Sequence, residues 1–381
     1  MTFFDPLLDE THLAVRDLAR NFALKEIRPH AETWEEAGTY PRELHLTAAK
    51  AGLLGIAVPE EAGGSGGGWV HMVMAIEGLM YGGSTGVVAG LGSLGIGLPA
   101  IIQSEDSRLI DAYVRPCLAG ERISCLAITE PGTGSDVARV STRAVRDGDH
   151  YVVNGAKMFI TSGVRADYIT TLVRTGDDVH GGLSFLVIER ETPGVSVSRA
   201  LRKTGWWASD TAELAFDDVR VPCGNLLGAE GSGFYTLMRN FQNERLALAA
   251  YGVAAGLIAL EEATAYARER EAFGRPLTAF QVTRHKLADM ATRVLAAQLL
   301  TYQVASRMDA GEYLVREVSM AKNLTAEMAL SVTHDAVQIF GGMGYMRETL
   351  VERLSRDARL LPIGGGTQEI MKEVIAKQMG L

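Results

Sequence analysis

The sequence is short of cysteine, with only Cys117, Cys125 and Cys223 in 381 residues. An odd count without C-x-x-C spacing excludes a complete disulfide framework and a thiolate metal site, so all three read as reduced packing residues. Histidine is sparse as well. The eight present form no H-x-x-x-H pair, which leaves a metal centre unsupported. Positive charge is in deficit: 37 Lys and Arg against 46 Asp and Glu give a net charge of -9, with no basic run. That balance argues against a nucleic-acid-binding surface. Long apolar runs are missing too. None reaches the roughly 18 uninterrupted residues of a membrane-spanning helix, and the longest candidate, Val87 to Ile102, is broken by glycines and Pro99. The opening residues Met1-Thr2-Phe3-Phe4-Asp5-Pro6 lack the basic start and apolar core of a signal peptide. The expectation is a soluble, cytoplasmic chain without a membrane span.

Against these absences stand 42 glycines, above the usual frequency of about 7%, clustered in loops. Hydrophobic content of 47% and charged content of 22% are ordinary for a globular chain, whose length allows two or three domains. Residues 1–120 read as helical. Asp5-Pro6 suits a helix start, and Val15, Leu18, Ala19 and Phe22 recur at helical spacing. Further helices are expected from Pro41 to Gly52, Val70 to Tyr81 and Ser104 to Ala119. Between them, the glycine-rich stretch Val58 to Gly68 reads as a flexible connector.

The character changes at residue 121. Short runs rich in β-branched and aromatic residues span Arg122–Thr129, Ser141–Arg146, Tyr151–Asn154, Lys157–Ile160, Asp167–Arg174, Leu183–Ile188 and Ala212–Phe216. Turn signals at Asp147-Gly148, Asn154-Gly155, Gly181-Gly182 and Pro193-Gly194 separate many of them. Residues 121–232 therefore predict a central β-barrel or sandwich. From 233 to 381 helical periodicity returns, over Phe234–Glu271, Ala279–Met308, Glu312–Phe340, Met346–Arg359 and Gln368–Met379. Long antiparallel helices with short connections suggest a four-helix bundle. The fold class is α+β, ordered α, β, α.

Three stretches carry possible chemistry. Leu126-Ala127-Ile128 runs straight into Thr129-Glu130-Pro131-Gly132-Thr133-Gly134-Ser135-Asp136, where glycines let a flat or anionic ligand approach the backbone. No G-x-G-x-x-G follows this strand and no Walker lysine is present, so it is not a dinucleotide or P-loop fingerprint. The second is a helix anomaly. Leu237, Phe241, Leu248 and Gly252 share one face, and Glu244 falls on it. A carboxylate on an apolar stripe is desolvated and raised in pKa, which suits a base. A helix-edge glutamate paired with a distant arginine fits the spacing as well, and Arg245 points about 100° away toward another surface. Third, Gly364-Gly365-Gly366 stands before Thr367, a helix N-cap with free N–H donors nearby. Trp206-Trp207 fits either a substrate entrance or packing at a domain junction.

Taken in order, these pieces resemble the acyl-CoA dehydrogenase family over essentially the whole chain. The landmarks are Pro59-Glu60-Glu61, Thr129 to Asp136, Asn154-Gly155-Ala156-Lys157-Met158-Phe159-Ile160-Thr161, Ala208 to Thr211 with Val219 to Pro222, then Arg270 with Phe273-Gly274, Gln281, Gln338 with Gly341-Gly342, and Gly366-Thr367. The resemblance implies an FAD cofactor between the β-domain and the bundle. Leu126, Ile128, Thr129, Gly134, Ser135, Phe159 and Thr161 would line the flavin. Arg270, Phe273, Gln281, Gln338, Gly341 and Gly342, with Thr367 and Glu369, would hold its pyrophosphate and adenine, partly across a subunit interface. Phe159 stands where tryptophan is more usual. Ser135, Arg245 and Gly365 would meet the substrate, an acyl-CoA dehydrogenated between its α and β carbons. Partners implied are an electron-transfer flavoprotein or similar acceptor and further copies of the chain in a homotetramer. Most members place the catalytic glutamate just before the C-terminal Gly-Thr, where this chain has Gly365. A minority, the long-chain and isovaleryl branch, place it directly before an arginine on the bundle helix, and that position is Glu244. The tail Ile370-Met371-Lys372-Glu373 looks more like the long-chain enzymes. An oxidase on the same fold and a non-catalytic partner subunit are the alternatives.

Overall fold

The computed structural model describes residues 7–381, so the expected Asp5-Pro6 helix start lies outside the described residues. The first described helix, Glu10–Phe22, is instead capped by Asp9, whose carboxylate accepts from the N–H groups of Thr11 and His12. Its Ala19 and Phe22 are buried, but Leu18 is 46% exposed, off the inward face. The Val58–Gly68 stretch is not a loose connector. Ser65, Gly66 and Gly67 donate to the carbonyls of Gly55, Val58 and Ile56, and a Cβ on Gly64 would collide with the Val58 backbone. Glycine is there for close packing. The helix expected from Ser104 begins at Ser107, because Asp106 supplies the cap.

The central β-region is one sheet of eight strands. β1 (Ser124–Ala127), β2 (Arg143–Asp147), β3 (His150–Thr161), β4 (Tyr168–Arg174), β5 (Leu183–Glu189), β6 (Val195–Ala200), β7 (Thr211–Pro222) and β8 (Leu226–Leu227) lie in the order β6-β7-β3-β2-β4-β5-β8, with β1 parallel to β4. Side chains from most strands, including Ile160, Ile169, Leu186 and Leu214, converge on a single apolar cluster inside the sheet. The opposite faces of β4 and β5 are buried too. Tyr168, Leu172, Phe185 and Val187 pack on Leu94, Leu98 and Leu109 from the N-terminal helices. Burial on both faces explains why these strands read as unbroken apolar runs. Asn154-Gly155 does not turn. β3 runs through it, because Gly155 adopts φ +150 beside Thr142 and the Asn154 amide pairs with Asp218 of β7.

The C-terminal helices Gly233–Glu269, Gln281–Asp309 and Val315–Phe340 pack against one another and against Trp69–Met80. Shorter helices Leu350–Ala358 and Gln368–Gln378 complete this half; the first begins later than the expected Met346. Two helical stretches, Thr85–Ile102 and Gly233–Glu269, are long and apolar enough to cross a membrane by length and composition. Both are mostly buried here, where they form core.

Candidate active site

β1 ends at Ala127, and the following loop is anchored from below. Glu130, though it stands in the most recognisable motif, is buried, and its carboxylate accepts from Ser141 N and Oγ, Thr142 N and Lys157 Nζ at 2.6–2.9 Å. Burial pushes this carboxyl up, but the Lys157 charge and the hydrogen bonds outweigh it and bring it down to about 2. Lys157 also donates to Ile128 O at 3.0 Å. Glu130 is a fixed structural anion. Lys157 was without an assigned role in the sequence; its burial on β3 shows only in the fold.

The same strand then bulges. Met158 N donates to Thr129 O at 2.7 Å, the β3–β7 register slips between Lys157 and Ile160, and Phe159 takes φ +62 with its ring 64% exposed. A left-handed bulky residue costs on the order of 1 kcal/mol and marks a functional constraint. Thr129 and Phe159 are thus side by side, with Gly134 and Ser135 exposed at the loop edge. Leu126 and Ile128 are each 8% exposed, and their side chains pack in the cluster with Leu94 and Leu237. Alternation along β1 turns both side chains inward, beneath the loop.

Glu244 meets residues far along the chain, Gly365 and Lys322. It sits half-buried in the fourth turn of the Gly233–Glu269 helix. A Cβ built on Gly365 would stand 3.7 Å from Glu244 Oε1 and would collide with Leu248 Cδ1. Gly365 and Gly366 have φ +63 and +98, which glycine adopts freely. Arg245 does not serve a separate surface, as its helical angle suggested. Its long side chain reaches back so that Nε donates to Gly365 O at 3.4 Å, while its guanidinium lies 5.4 Å from the Phe241 ring. Lys322 Nζ donates to Gly366 O at 2.6 Å, and Asn323 Nδ2 to Gln368 O at 3.1 Å. Thr367 Oγ caps the last helix by accepting from Ile370 N. Burial raises the Glu244 carboxyl, offset in part by Arg245 and Lys322. Lys322 and Asn323 went unnoticed in the sequence, although a lysine amid the apolar spacing of Val318, Ala321 and Thr325 was a signal.

Family models match almost the full length: "Acyl-CoA dehydrogenase, N-terminal domain" over residues 9–121, "middle domain" over 125–219 and "C-terminal domain" over 231–380. The chain belongs to the acyl-CoA dehydrogenase family. It is similar to the acyl-CoA dehydrogenase of Bacillus subtilis (strain 168), 39% identical over 97% of this chain and 98% of that one. Among solved structures, acyl-CoA dehydrogenase from Geobacillus kaustophilus superposes with a TM-score of 0.94 at 40% identity, covering 98% of this chain and 99% of that one. A glutaryl-CoA dehydrogenase from Mycobacterium smegmatis in complex with FADH2 gives 0.94 at 28% identity, covering 99% and 96%. The protein is accordingly an oxidoreductase of the acyl-CoA dehydrogenase type, with the fold of that family.

The remaining family positions gather at another end of the bundle of this acyl-CoA dehydrogenase. Arg270 ends the Gly233–Glu269 helix, and Phe273, at φ +53, is 96% exposed on the following hairpin. Gln281 opens the next helix. Tyr266 stacks on Phe340 at 4.1 Å, which sets the end of the Gly233–Glu269 helix beside the end of Val315–Phe340, where Gln338 is exposed and Gly341 has φ +61. Glu369 is exposed in the first turn of the last helix, and Thr161 is half-buried at the end of β3. Trp206-Trp207 is a junction. Trp206 N and Nε1 donate to Asp357, Trp207 N donates to Glu35, and the Trp207 ring lies 3.6 Å under the Arg356 guanidinium.

Proposed function

We propose that the protein catalyses FAD-dependent α,β-dehydrogenation of an acyl-CoA thioester to the trans-2-enoyl-CoA, with Glu244 as the base. The observation that carries this reading is the contact between Glu244 and Gly365. The family's two alternative places for a catalytic glutamate meet at one point in space, and this chain keeps a carboxylate there.

The residues present fit FAD. Phe159 offers an exposed ring on a strained bulge beside Thr129, and Gly134 leaves open space at the loop edge. Arg270 with the bare backbone of Gly341 and Gly342 suits a pyrophosphate. Thr161, Ser135, Phe273, Gln281, Gln338, Thr367 and Glu369 would complete the cradle. When bound, FAD supplies the hydride acceptor.

Glu244 takes the α-proton. Its raised carboxyl is a stronger base than an exposed one, and Gly365 puts no side chain against it. The N–H groups of Gly365 and Gly366 have no acceptor among the described residues. They are donors for a thioester oxygen as negative charge develops on it. Arg245 and Lys322 hold that loop by its carbonyls. Electrons leave to an external acceptor such as an electron-transfer flavoprotein. Exposed Phe273, Val282, Met343 and Tyr345 on the bundle support assembly as a homotetramer.

The test is spectroscopic. The purified protein is expected to be yellow, to release FAD on denaturation, and to bleach with an acyl-CoA under anaerobic conditions. Absence of bound flavin after expression and reconstitution would contradict the reading. Rapid peroxide formation in air would make it an oxidase instead.

A further inference from the structure

Among the described residues no donor or cation bonds the Glu244 carboxylate; only burial and the charges of Arg245 and Lys322 act on it. Both cations are engaged elsewhere, on successive carbonyls of the turn opposite. Arg245 Nε donates to Gly365 O and Lys322 Nζ to Gly366 O. The two are not equivalent. Arg245 shares a helix with Glu244, whereas Lys322 comes from the Val315–Phe340 helix. These helices approach closely: a Cβ on Gly252 would stand 2.9 Å from Thr325 Cβ, and one on Gly256 2.4 Å from Met328 Sδ. Lys322 stands about one turn before Thr325, and helical side chains lean toward the N-terminus. Its stem therefore follows the seam toward Leu248 and Glu244. The same helix holds the far side of the turn as well, through Asn323 Nδ2 on Gln368 O and through Glu327 Oε1, which accepts from Gln368 Nε2 at 2.9 Å.

We propose that Lys322 is a positioning residue with two separable effects: its hydrogen bond sets the Gly365–Gly366 turn against the base, and its charge favours the ionised form of Glu244. This rests on Glu244 as the base. The placement of Lys322 is costly. It is 1% exposed, and of its three donors one is matched among the described residues. What the ammonium faces is the site: Arg245 and Glu244 on one helix and Glu369 on the last. Tyr313, on the loop before Val315, acts on Arg245 in turn. Burial and the Arg245 charge bring Lys322 down to about 8, so it is still charged near neutral pH. There its charge works against the burial that raises Glu244. The hydrogen bond acts by geometry instead. With Gly365 O and Gly366 O held from two helices, the free N–H groups of Gly365 and Gly366 keep one distance from the carboxylate. A shift of about 1 Å between such groups can cost about 10²-fold in rate.

The test follows flavin bleaching by octanoyl-CoA in FAD-loaded enzyme without oxygen, across the acid limb of the pH profile and its plateau. Lys322→Gln keeps a donor for Gly366 O and removes the charge. Its acid limb should move up by about one pH unit, with most of the plateau rate retained. Lys322→Met removes both, and its plateau rate should fall at least about tenfold, by more than Kd for octanoyl-CoA rises. Lys322→Arg, charged at every pH in the range, should keep the limb where wild type has it. A lysine that only supports the fold would lower Tm and FAD retention and leave the limb in place. A Lys322→Gln limb coinciding with that of wild type would therefore overturn the proposal, even if Lys322→Met does not fold. So would a folded Lys322→Met that bleaches at the wild-type rate. Absence of bleaching in wild type would overturn the dehydrogenase reading itself, and this role with it.

Discussion

The carboxylate of Glu244 lies against the Cα of Gly365: a side chain begun there would find Oε1 3.7 Å away. Two residues far apart in sequence share one small volume, and only one of them can carry a side chain into it. Leu248 takes up the rest of the space.

Gly365→Ala is therefore expected to be costly twice over. It forces φ +63 on an alanine and drives its methyl into Leu248. Thermal unfolding should show a loss of about 1–3 kcal/mol, and kcat should fall as Glu244 is displaced. A stable, fully active variant would mean that the loop is elsewhere in solution.

The pH profile follows from burial. Glu244 accepts a proton only when ionised, so kcat/KM should fall with pH through an ionisation above the ordinary glutamate value of about 4.3. Because the folded-state value is raised, stability drops as pH climbs past the unfolded value. Glu244→Gln should accordingly raise Tm near pH 8 and not near pH 4. Calorimetry at both pH values measures this.

Lys157→Met should leave Glu130 as an unpaired buried anion beneath the loop. The expected loss is about 3–5 kcal/mol, with weaker retention of FAD. Adding Glu130→Gln should recover a large part of it, which denaturant titration of the single and double variants would read.

At the Trp206 junction, burial and the nearby Glu35 charge push Asp357 up to about 7. A raised folded-state value means stability declines between the unfolded value, about 3.9, and pH about 7. Asp357→Asn keeps an acceptor for the Trp206 N–H and should flatten Tm across that interval. An unchanged slope would contradict the assignment.

The α, β, α order was legible because its patterns differ: helical spacing at Ala19 and Phe22, short β-branched and apolar runs such as β4 and β5, then long helical stretches. β6 escaped notice because Val195–Ala200 is largely exposed and only Val195 and Val197 turn toward the apolar cluster. Asn154-Gly155 misled for a different reason: its turn chemistry serves a bulge within a continuous strand. Glu244 stood out on an apolar face, but that spacing fits a helix-edge glutamate as well, and only the family resemblance chose it. The contact with Gly365, the grip of Lys322 and the reach of Arg245 were not legible, since each depends on how a distant loop returns to the helix.

The most direct measurement compares wild type and Glu244→Gln by anaerobic stopped-flow with octanoyl-CoA, following flavin absorbance. The account predicts that the variant keeps its FAD spectrum and binds substrate but bleaches about 10²–10⁴-fold more slowly. Bleaching at the wild-type rate would show that the proton goes to another group.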